Sequence, residues 1–274
     1  MPTIDTTRAR IRYWTSGTGP AVVLVQGAGM IGEAWRPQID ALEERYTLVW
    51  IDNRGIGQSA IRSGALTIED MADDVLAVAD AERLPHFHLA GHSMGGLIAQ
   101  QLALVAPARV RSLALLCTFL TGRQASAMSL PLLVTALRSR LGTRRMRRHA
   151  FVELVMPHGY LATVDRDAMC ESLGAFFGRD LADQPPIIMR QVRAMAKFDV
   201  SAKLSELSGI PTLVVSAEHD RIARPAYGRA LAAAIPGATF VELKSAGHAV
   251  PIQCAGEVNA ILDRHLAGQS AVPA

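Results

Sequence analysis

One serine of the chain lies in a pattern that can turn its hydroxyl into a nucleophile. The pattern is Gly-x-Ser-x-Gly, formed by Gly91, His92, Ser93, Met94 and Gly95. A short apolar run precedes it and apolar residues at helical spacing follow it, which predicts a sharp turn between a strand and a helix. The glycines leave room for this turn, and the hydroxyl of Ser93 stands exposed at its tip. The alternative is a glycine-rich turn that only buries a serine.

A serine hydroxyl is a poor nucleophile at neutral pH, so it needs a base that an acid orients. His248 lies in a loop of small residues after an apolar run at Thr239–Leu243, and Asp220 follows another such run at 211–216. The carboxyl ends of strands gather catalytic groups in α/β sheets, and the chain order serine, aspartate, histidine fits acyl transfer. Rival acids and weaker rival bases remain: Glu218, Glu242, His92, His158 and His219.

Acyl transfer also needs hydrogen-bond donors for the negative charge that forms on the substrate oxygen. The backbone N–H of Met94, at the predicted start of a helix, is one donor. The backbone N–H of Ala28, between Gly27 and Gly29, is the other. These two amides are the predicted oxyanion hole, with a plain glycine turn around Ala28 as the alternative.

Strands and helices alternate along most of the chain. Apolar runs suited to buried strands lie at Ala21–Val25, Thr47–Ile51 and 87–90, with helical patterns between them. This alternation predicts an α/β fold with a mostly parallel central sheet and helices on both faces. Residues 10–15 are predicted to form an edge strand that ends in a hairpin turn at 16–20.

Between Phe119 and about Gly209 the alternation stops and helical patterns alone remain. We therefore predict a core domain of residues 1–119 and 210–274, with a helical cap, or lid, of residues 120–209 in about four helices. Specificity is expected to reside in the cap. The predicted pocket residues, of which Met30 and Trp35 have a core position as alternative, are Met30, Trp35, Phe119, Leu132, Phe151 and Phe176.

Composition and charge argue against several classes of protein, among them nucleic-acid-binding and membrane proteins. The net charge of +3 implies neither a nucleic acid nor a membrane surface as partner, and no apolar run approaches the roughly 20 residues of a membrane span. The three cysteines are widely spaced, and no pair has metal-ligand spacing. Catalysis by a serine, a histidine and an aspartate requires neither a metal nor an organic cofactor, so none is expected. The first eight residues are polar, which favours a cytoplasmic protein. Homo-oligomer formation stays open.

Six arginines crowd into the predicted cap. The basic run is Arg138, Arg140, Arg144, Arg145, Arg147 and Arg148. A solvated helix face is the favoured interpretation of this run, with an anionic substrate or partner as the alternative.

Four stretches together resemble the α/β-hydrolases, over nearly the whole chain. They are residues 91–96, the polar loop 52–59, Glu218 to Asp220, and Gly247 with His248. The resemblance is to the ester- and lactone-cleaving group that includes 3-oxoadipate enol-lactonase-like proteins and cofactor-free haloperoxidase-like esterases. Departures are Gln26 where the family often has histidine, and Gln253 where relatives often have glutamate. Dehalogenases and epoxide hydrolases of this fold use an aspartate nucleophile, which Ser93 argues against.

The sequence therefore predicts a serine hydrolase of carboxylic esters or lactones. Ser93 attacks, His248 carries the proton, Asp220 orients His248, and water resolves the acyl-enzyme. The expected partner is a small-molecule ester or lactone, without nucleic acid or membrane insertion. Two alternatives remain: hydrolysis of a carbon–carbon bond in a diketone-type substrate, and a non-catalytic receptor for a small molecule.

Overall fold

A central sheet organises the molecule, which is seen in a computed structural model describing residues 2–127 and 129–270. Within these ranges the sheet has nine strands: β1 (Thr3–Asp5), β2 (Ala9–Ser16), β3 (Ala21–Val25), β4 (Thr47–Ile51), β5 (Ala60–Ile61), β6 (Phe87–His92), β7 (Val110–Leu116), β8 (Thr212–Ala217) and β9 (Thr239–Leu243). Their order is β1-β2-β4-β3-β6-β7-β8-β9, with β5 beside β2. Every neighbouring pair from β4 to β9 is parallel, which confirms the predicted α/β class.

Helices flank this sheet and also fill the long connection between β7 and β8. They are α1 (Arg36–Leu42), α2 (Ile68–Ala81), α3 (Met94–Val105), α4 (Gly122–Ser126), α5 (Leu130–Arg138), α6 (Arg144–Val155), α7 (His158–Leu161), α8 (Arg166–Phe177), α9 (Ile187–Lys197), α10 (Pro225–Ala234), α11 (Val250–Gln253) and α12 (Ala255–Ser270). Short 3-10 helices occur at Gly32–Trp35, Pro107–Arg109 and Ser201–Gly209. No helix in the described ranges is long and apolar enough to cross a membrane.

The predicted N-terminal strand is present as β2, but its predicted edge position and hairpin are wrong. β2 does not pair with β3; it pairs antiparallel with β4, where Tyr13 lies opposite Ile51, and β1 occupies the edge. β3 has parallel neighbours on both sides, β4 and β6, so it offers no free edge to β2. A run that is apolar throughout suits this central position, where both faces of the strand are buried.

The connection between β7 and β8 contains helices and no strand among its described residues. It holds six α-helices, α4 to α9, where the sequence predicts about four. Two of them are only four or five residues long, too short to leave a periodic signal in the sequence. A separate apolar cluster joins this segment to the core, and in it Phe151 and Phe177 pack with Met30 and Ala34. The segment therefore lies over the loop that follows β3.

Candidate active site

Ser93 stands at a strained turn between β6 and α3. Its φ of 53° and ψ of −116° lie outside the regions that residues with a side chain favour. A Cβ on Gly91 would lie 2.2 Å from the carbonyl oxygen of Gly95, and a Cβ on Gly95 would lie 2.1 Å from that of Val25. Only glycine fits at either position, which is the physical reason for the Gly-x-Ser-x-Gly spacing. The turn leaves the Ser93 hydroxyl above the end of the sheet.

His248 and Asp220 reach Ser93 from the carboxyl ends of β9 and β8. The imidazole Nε2 of His248 lies 3.0 Å from the Oγ of Ser93, and its Nδ1 lies 2.8 Å from the Oδ2 of Asp220. All three residues are buried. The structure thus brings the predicted nucleophile, base and acid into one hydrogen-bonded chain, which is the geometry that activates a serine.

Both oxygens of the Asp220 carboxylate have hydrogen-bond partners. Its Oδ1 accepts hydrogen bonds from the backbone amides of Ile222 and Ala223, each at 2.8 Å. The thiol of Cys117, which directly follows β7, lies near the same carboxylate. Burial, with the nearby charge of Asp220 as a smaller cause, raises the pKa of this thiol well above its usual value. Cys117 therefore stays protonated beside Asp220, a position that its apolar neighbourhood in the sequence does not indicate.

The rival histidine beside the nucleophile supports the site from below. The Nε2 of His92 donates to the carbonyl oxygen of His248 at 2.9 Å, and its ring lies edge-on to the fully buried Trp35. Burial lowers the pKa of His92 to about 3, so the ring is neutral. His92 thus holds the backbone of the loop that carries His248.

The rival acids are engaged elsewhere. Glu218 accepts a hydrogen bond from the amide of Ser245 at 3.0 Å and is partly exposed, and Glu242 forms an ion pair with Arg229. His158 and His219 are exposed, and His158 contacts Arg221 instead of Ser93.

The two predicted oxyanion donors flank the nucleophile. Met94 begins α3 directly after Ser93, and Ala28 lines the same cavity as Ser93. A Cβ on Gly27 would lie 3.1 Å from the Cβ of Ser93, so the loop after β3 runs close to the nucleophile. Within residues 2–127 and 129–270, neither the Ala28 nor the Met94 amide donates to a protein acceptor. Within these ranges both amides are therefore left without a protein acceptor beside Ser93.

Two residues of the helical segment between β7 and β8 hydrogen-bond to the loop after β3, and the sequence did not predict either of them. The amide of Gly29 donates to the side-chain oxygen of Gln191 in α9 at 2.9 Å, and the guanidinium of Arg179 donates to the carbonyl oxygen of Gly29. Burial lowers the pKa of Arg179. Both partners are more than 140 residues away in sequence, so no local pattern announces them.

A cavity of about 280 Å³ opens above Ser93 and His248. Four of the predicted pocket residues line it: Met30, Phe119, Leu132 and Phe151. Two do not, and those predictions are corrected. Trp35 is a core residue under His92, and Phe176 is replaced by its neighbour Phe177, whose ring lies 5.0 Å from that of Phe151. Adjacent helical residues point about 100° apart, and the sequence did not fix the rotation of α8.

Most of the chain matches a known protein family. The family model described as the alpha/beta hydrolase fold matches residues 20–253. The chain belongs to this family. It is 34% identical over 93% of its length to RutD of Variovorax paradoxus, a protein named for carbamate hydrolysis, and covers 96% of that protein.

Two solved structures of enzymes that are named for lactones are similar to this α/β hydrolase. The enol-lactonase of Burkholderia xenovorans LB400 superposes with a TM-score of 0.80 at 26% identity, covering 97% of this chain and 100% of that one. Est816, an N-acyl homoserine lactone degrading enzyme, superposes with a TM-score of 0.81 at 25% identity, covering 96% and 99%.

The two departures from the family pattern both support loops of the site. Gln253 accepts from the amide of Gly247 at 2.8 Å and donates to the carbonyl oxygen of Ser245 at 3.0 Å, so it braces both ends of the turn before His248. A carboxylate could make only the first of these bonds. The Oε1 of Gln26 accepts from the amide of Gly27 at 3.2 Å and lies 3.2 Å from the Nδ1 of His92, so Gln26 lies between the loop after β3 and His92.

The arginines of the basic run mostly face acidic partners. Arg138, Arg144, Arg145 and Arg148 each pair with Glu153, Asp167 or Asp180. Arg140 alone among the six lines the cavity, at its exposed rim. In the part of the chain that the structure describes, no group of three or more histidine, cysteine, aspartate or glutamate side chains could hold a metal ion.

Proposed function

We propose that this α/β hydrolase is a serine hydrolase that cleaves a carboxylic ester or a lactone of apolar character. One observation carries the proposal: the hydrogen-bonded chain from Ser93 through His248 to Asp220 at the floor of an apolar cavity. Such a chain supplies a nucleophile, a general base and an orienting acid, which acyl transfer requires.

The residues act in a fixed order. The Oγ of Ser93 attacks the carbonyl carbon while the Nε2 of His248 accepts its proton. The amides of Ala28 and Met94 stabilise the oxyanion of the tetrahedral intermediate. His248 then protonates the leaving alcohol, which departs from an ester and remains tethered to the acyl group in a lactone. Water, deprotonated by His248, releases the acid from Ser93.

The cavity limits the acyl group. Its wall consists mainly of aliphatic and aromatic side chains, among them Leu132, Phe151 and Met195. Its volume of about 280 Å³ lies near the lower end of small-molecule sites, which span about 300–1,000 Å³. We infer that a compact apolar acyl or lactone group fits best, and that residues 120–209 act as the cap that selects it, over a core of residues 1–119 and 210–274.

The relatives support a carbonyl substrate and differ in its type. The enol-lactonase and Est816 are named for lactones, and RutD is named for a carbamate. The same triad can attack either carbonyl. The apolar cavity favours the ester or lactone, since a small polar carbamate would leave its N–H groups without partners on such a wall.

The test is a substrate panel with a matched inactive variant. Initial rates are measured with p-nitrophenyl esters of short to long acyl chains, and with γ- and δ-lactones, for the wild type and Ser93→Ala. We expect turnover of short or medium chains that the variant loses. Equal rates in both proteins would refute the role of Ser93. Turnover confined to carbamates or to diketones would replace ester cleavage with that chemistry, and tight binding without turnover would indicate a receptor.

A further inference from the structure

One helix of the segment between β7 and β8 exposes an apolar face. We define the apolar patch as the following residues, whose exposed fractions run from 48% to 74%: Leu130, Leu133, Val134, Leu137, Leu141 and Met146. They are six of the eight large apolar residues that are exposed within the described ranges. Their concentration in 17 consecutive positions sets this surface apart, because exposed apolar residues are normally scattered singly.

The apolar patch is continuous along α5 and onto the start of α6. The first four members lie at helical positions i, i+3, i+4 and i+7, so they share one side of α5. The end of the Met146 side chain lies 3.1 Å from where a Cβ of Gly142 would be, which brings it back beside Leu141. The opposite side of α5, with Leu132 and Ala136, lines the cavity. The helix thus separates the cavity from solvent with apolar side chains on both faces.

Positive charge surrounds this patch. Residues 130–152 hold six arginines and no aspartate or glutamate. Arg138, Arg144 and Arg145 keep more than half of their side chains exposed despite their ion pairs. Residues 122–209 as a whole have 13 lysines and arginines against eight aspartates and glutamates, whereas the entire chain has a net charge of only +3. The segment that carries the apolar patch therefore has a net charge of +5 by this count, and exposed arginines of that segment lie next to the patch in sequence.

We propose that the apolar patch docks on the surface of an anionic phospholipid bilayer. An apolar helix face bordered by arginines is the chemistry that lies in a membrane interface, with aliphatic side chains among the acyl chains and guanidinium groups at the phosphates. A second copy of the chain is a poorer occupant, since a symmetric contact would bring two arginine-rich surfaces together. The docking concerns the outer face of α5 and does not depend on the proposed reaction.

The first test measures binding of the full chain to vesicles by sedimentation. Vesicles of phosphatidylcholine alone are compared with vesicles in which half of the lipid is phosphatidylglycerol. We expect binding to the anionic vesicles that weakens with added salt. The double variant Leu133→Gln with Leu137→Gln should lower the partition coefficient more than about tenfold, because two aliphatic side chains no longer enter the interface. The matched control is Val105→Gln, which changes an equally exposed apolar residue at the end of α3.

The second test removes charge from the rim of the apolar patch. Arg138→Gln with Arg145→Gln should weaken binding to the anionic vesicles about tenfold or more, whereas Arg10→Gln with Arg45→Gln, two ion-paired surface arginines outside the patch, should leave it unchanged. Thermal unfolding of each variant checks that the fold is kept. Absence of binding to the anionic vesicles, or binding that the leucine variant retains, would overturn the proposal. A dimer in sedimentation velocity that the leucine variant dissociates, without vesicle binding, would assign the patch to a second copy.

Discussion

Replacing Asp220 by asparagine isolates the role of the acid with little change of shape. In the native site Oδ1 accepts from two backbone amides, and Oδ2 faces the Nδ1 of His248 at 2.8 Å. Asparagine keeps the oxygen for the two amides and turns its NH₂ group towards Nδ1. Nδ1 must then accept, so the imidazole proton moves to Nε2. The nitrogen that faces Ser93 becomes a donor and can no longer take the proton of the hydroxyl.

The expected loss is large in activity and small in stability. A wrong tautomer at the base costs about 10⁴ in kcat, which is about 5 kcal/mol of transition-state stabilisation. The melting temperature should change by only a few degrees, because the side-chain volume and the bonds from Ile222 and Ala223 are kept. The assay is kcat on the best p-nitrophenyl ester of the panel, with Ser93→Ala as background, together with thermal unfolding.

Glu218→Gln is the matched control. Glu218 lies two residues away on the same loop, is partly exposed and bonds the amide of Ser245 instead of His248. Its amide variant should keep kcat within about threefold of the wild type, since a surface carboxylate of this kind contributes little. If Asp220→Asn retained more than a tenth of the activity, or if Glu218→Gln lost as much, the assignment of the acid would be refuted.

Three further predictions concern the loop after β3, the cavity wall and a buried histidine of β6. Gln191→Ala removes the acceptor for the Gly29 amide and should lower kcat about tenfold with little change in KM. Gln184→Ala, which changes a glutamine that lines the cavity, should leave kcat unchanged. Equal effects of the two variants would exclude a role of Gln191 in positioning the loop after β3. Leu132→Phe should shift the preferred acyl chain to shorter lengths on the ester panel, and an unchanged preference would show that this wall does not limit the substrate. Burial lowers the pKa of His88 to about 4. Below pH 6.5 the unfolded chain therefore binds a proton at His88 that the native state does not bind, and the free energy of unfolding should decrease as the pH is lowered. His88→Gln should flatten that decline between pH 6 and 5 by about 1.2 kcal/mol in urea unfolding, and parallel curves for both proteins would contradict the assignment.

Local patterns predicted most of the sheet because a buried parallel strand needs a continuous apolar run. β3 and β4 were recognised in this way, and their bounds match the observed ones. The position of β2 was missed, since a turn signal reports a change of direction and not which strand lies alongside. That choice depends on which edges other strands leave free, and both edges of β3 are taken by β4 and β6.

The sequence by itself determined which side chains meet at the candidate site: a serine between two glycines, and an aspartate and a histidine after two later strands. The strained turn requires glycines at fixed spacing around the serine, and the other two residues directly follow apolar strands. Both features can therefore be recognised in the sequence. Only the tertiary structure decided what surrounds them. The thiol of Cys117 lies near Asp220, the Gly29 amide donates a hydrogen bond to Gln191, and Phe177 instead of Phe176 lines the cavity. These contacts join residues far apart in the chain or depend on the rotation of a helix, and neither distance across the fold nor helix rotation is encoded in a local pattern.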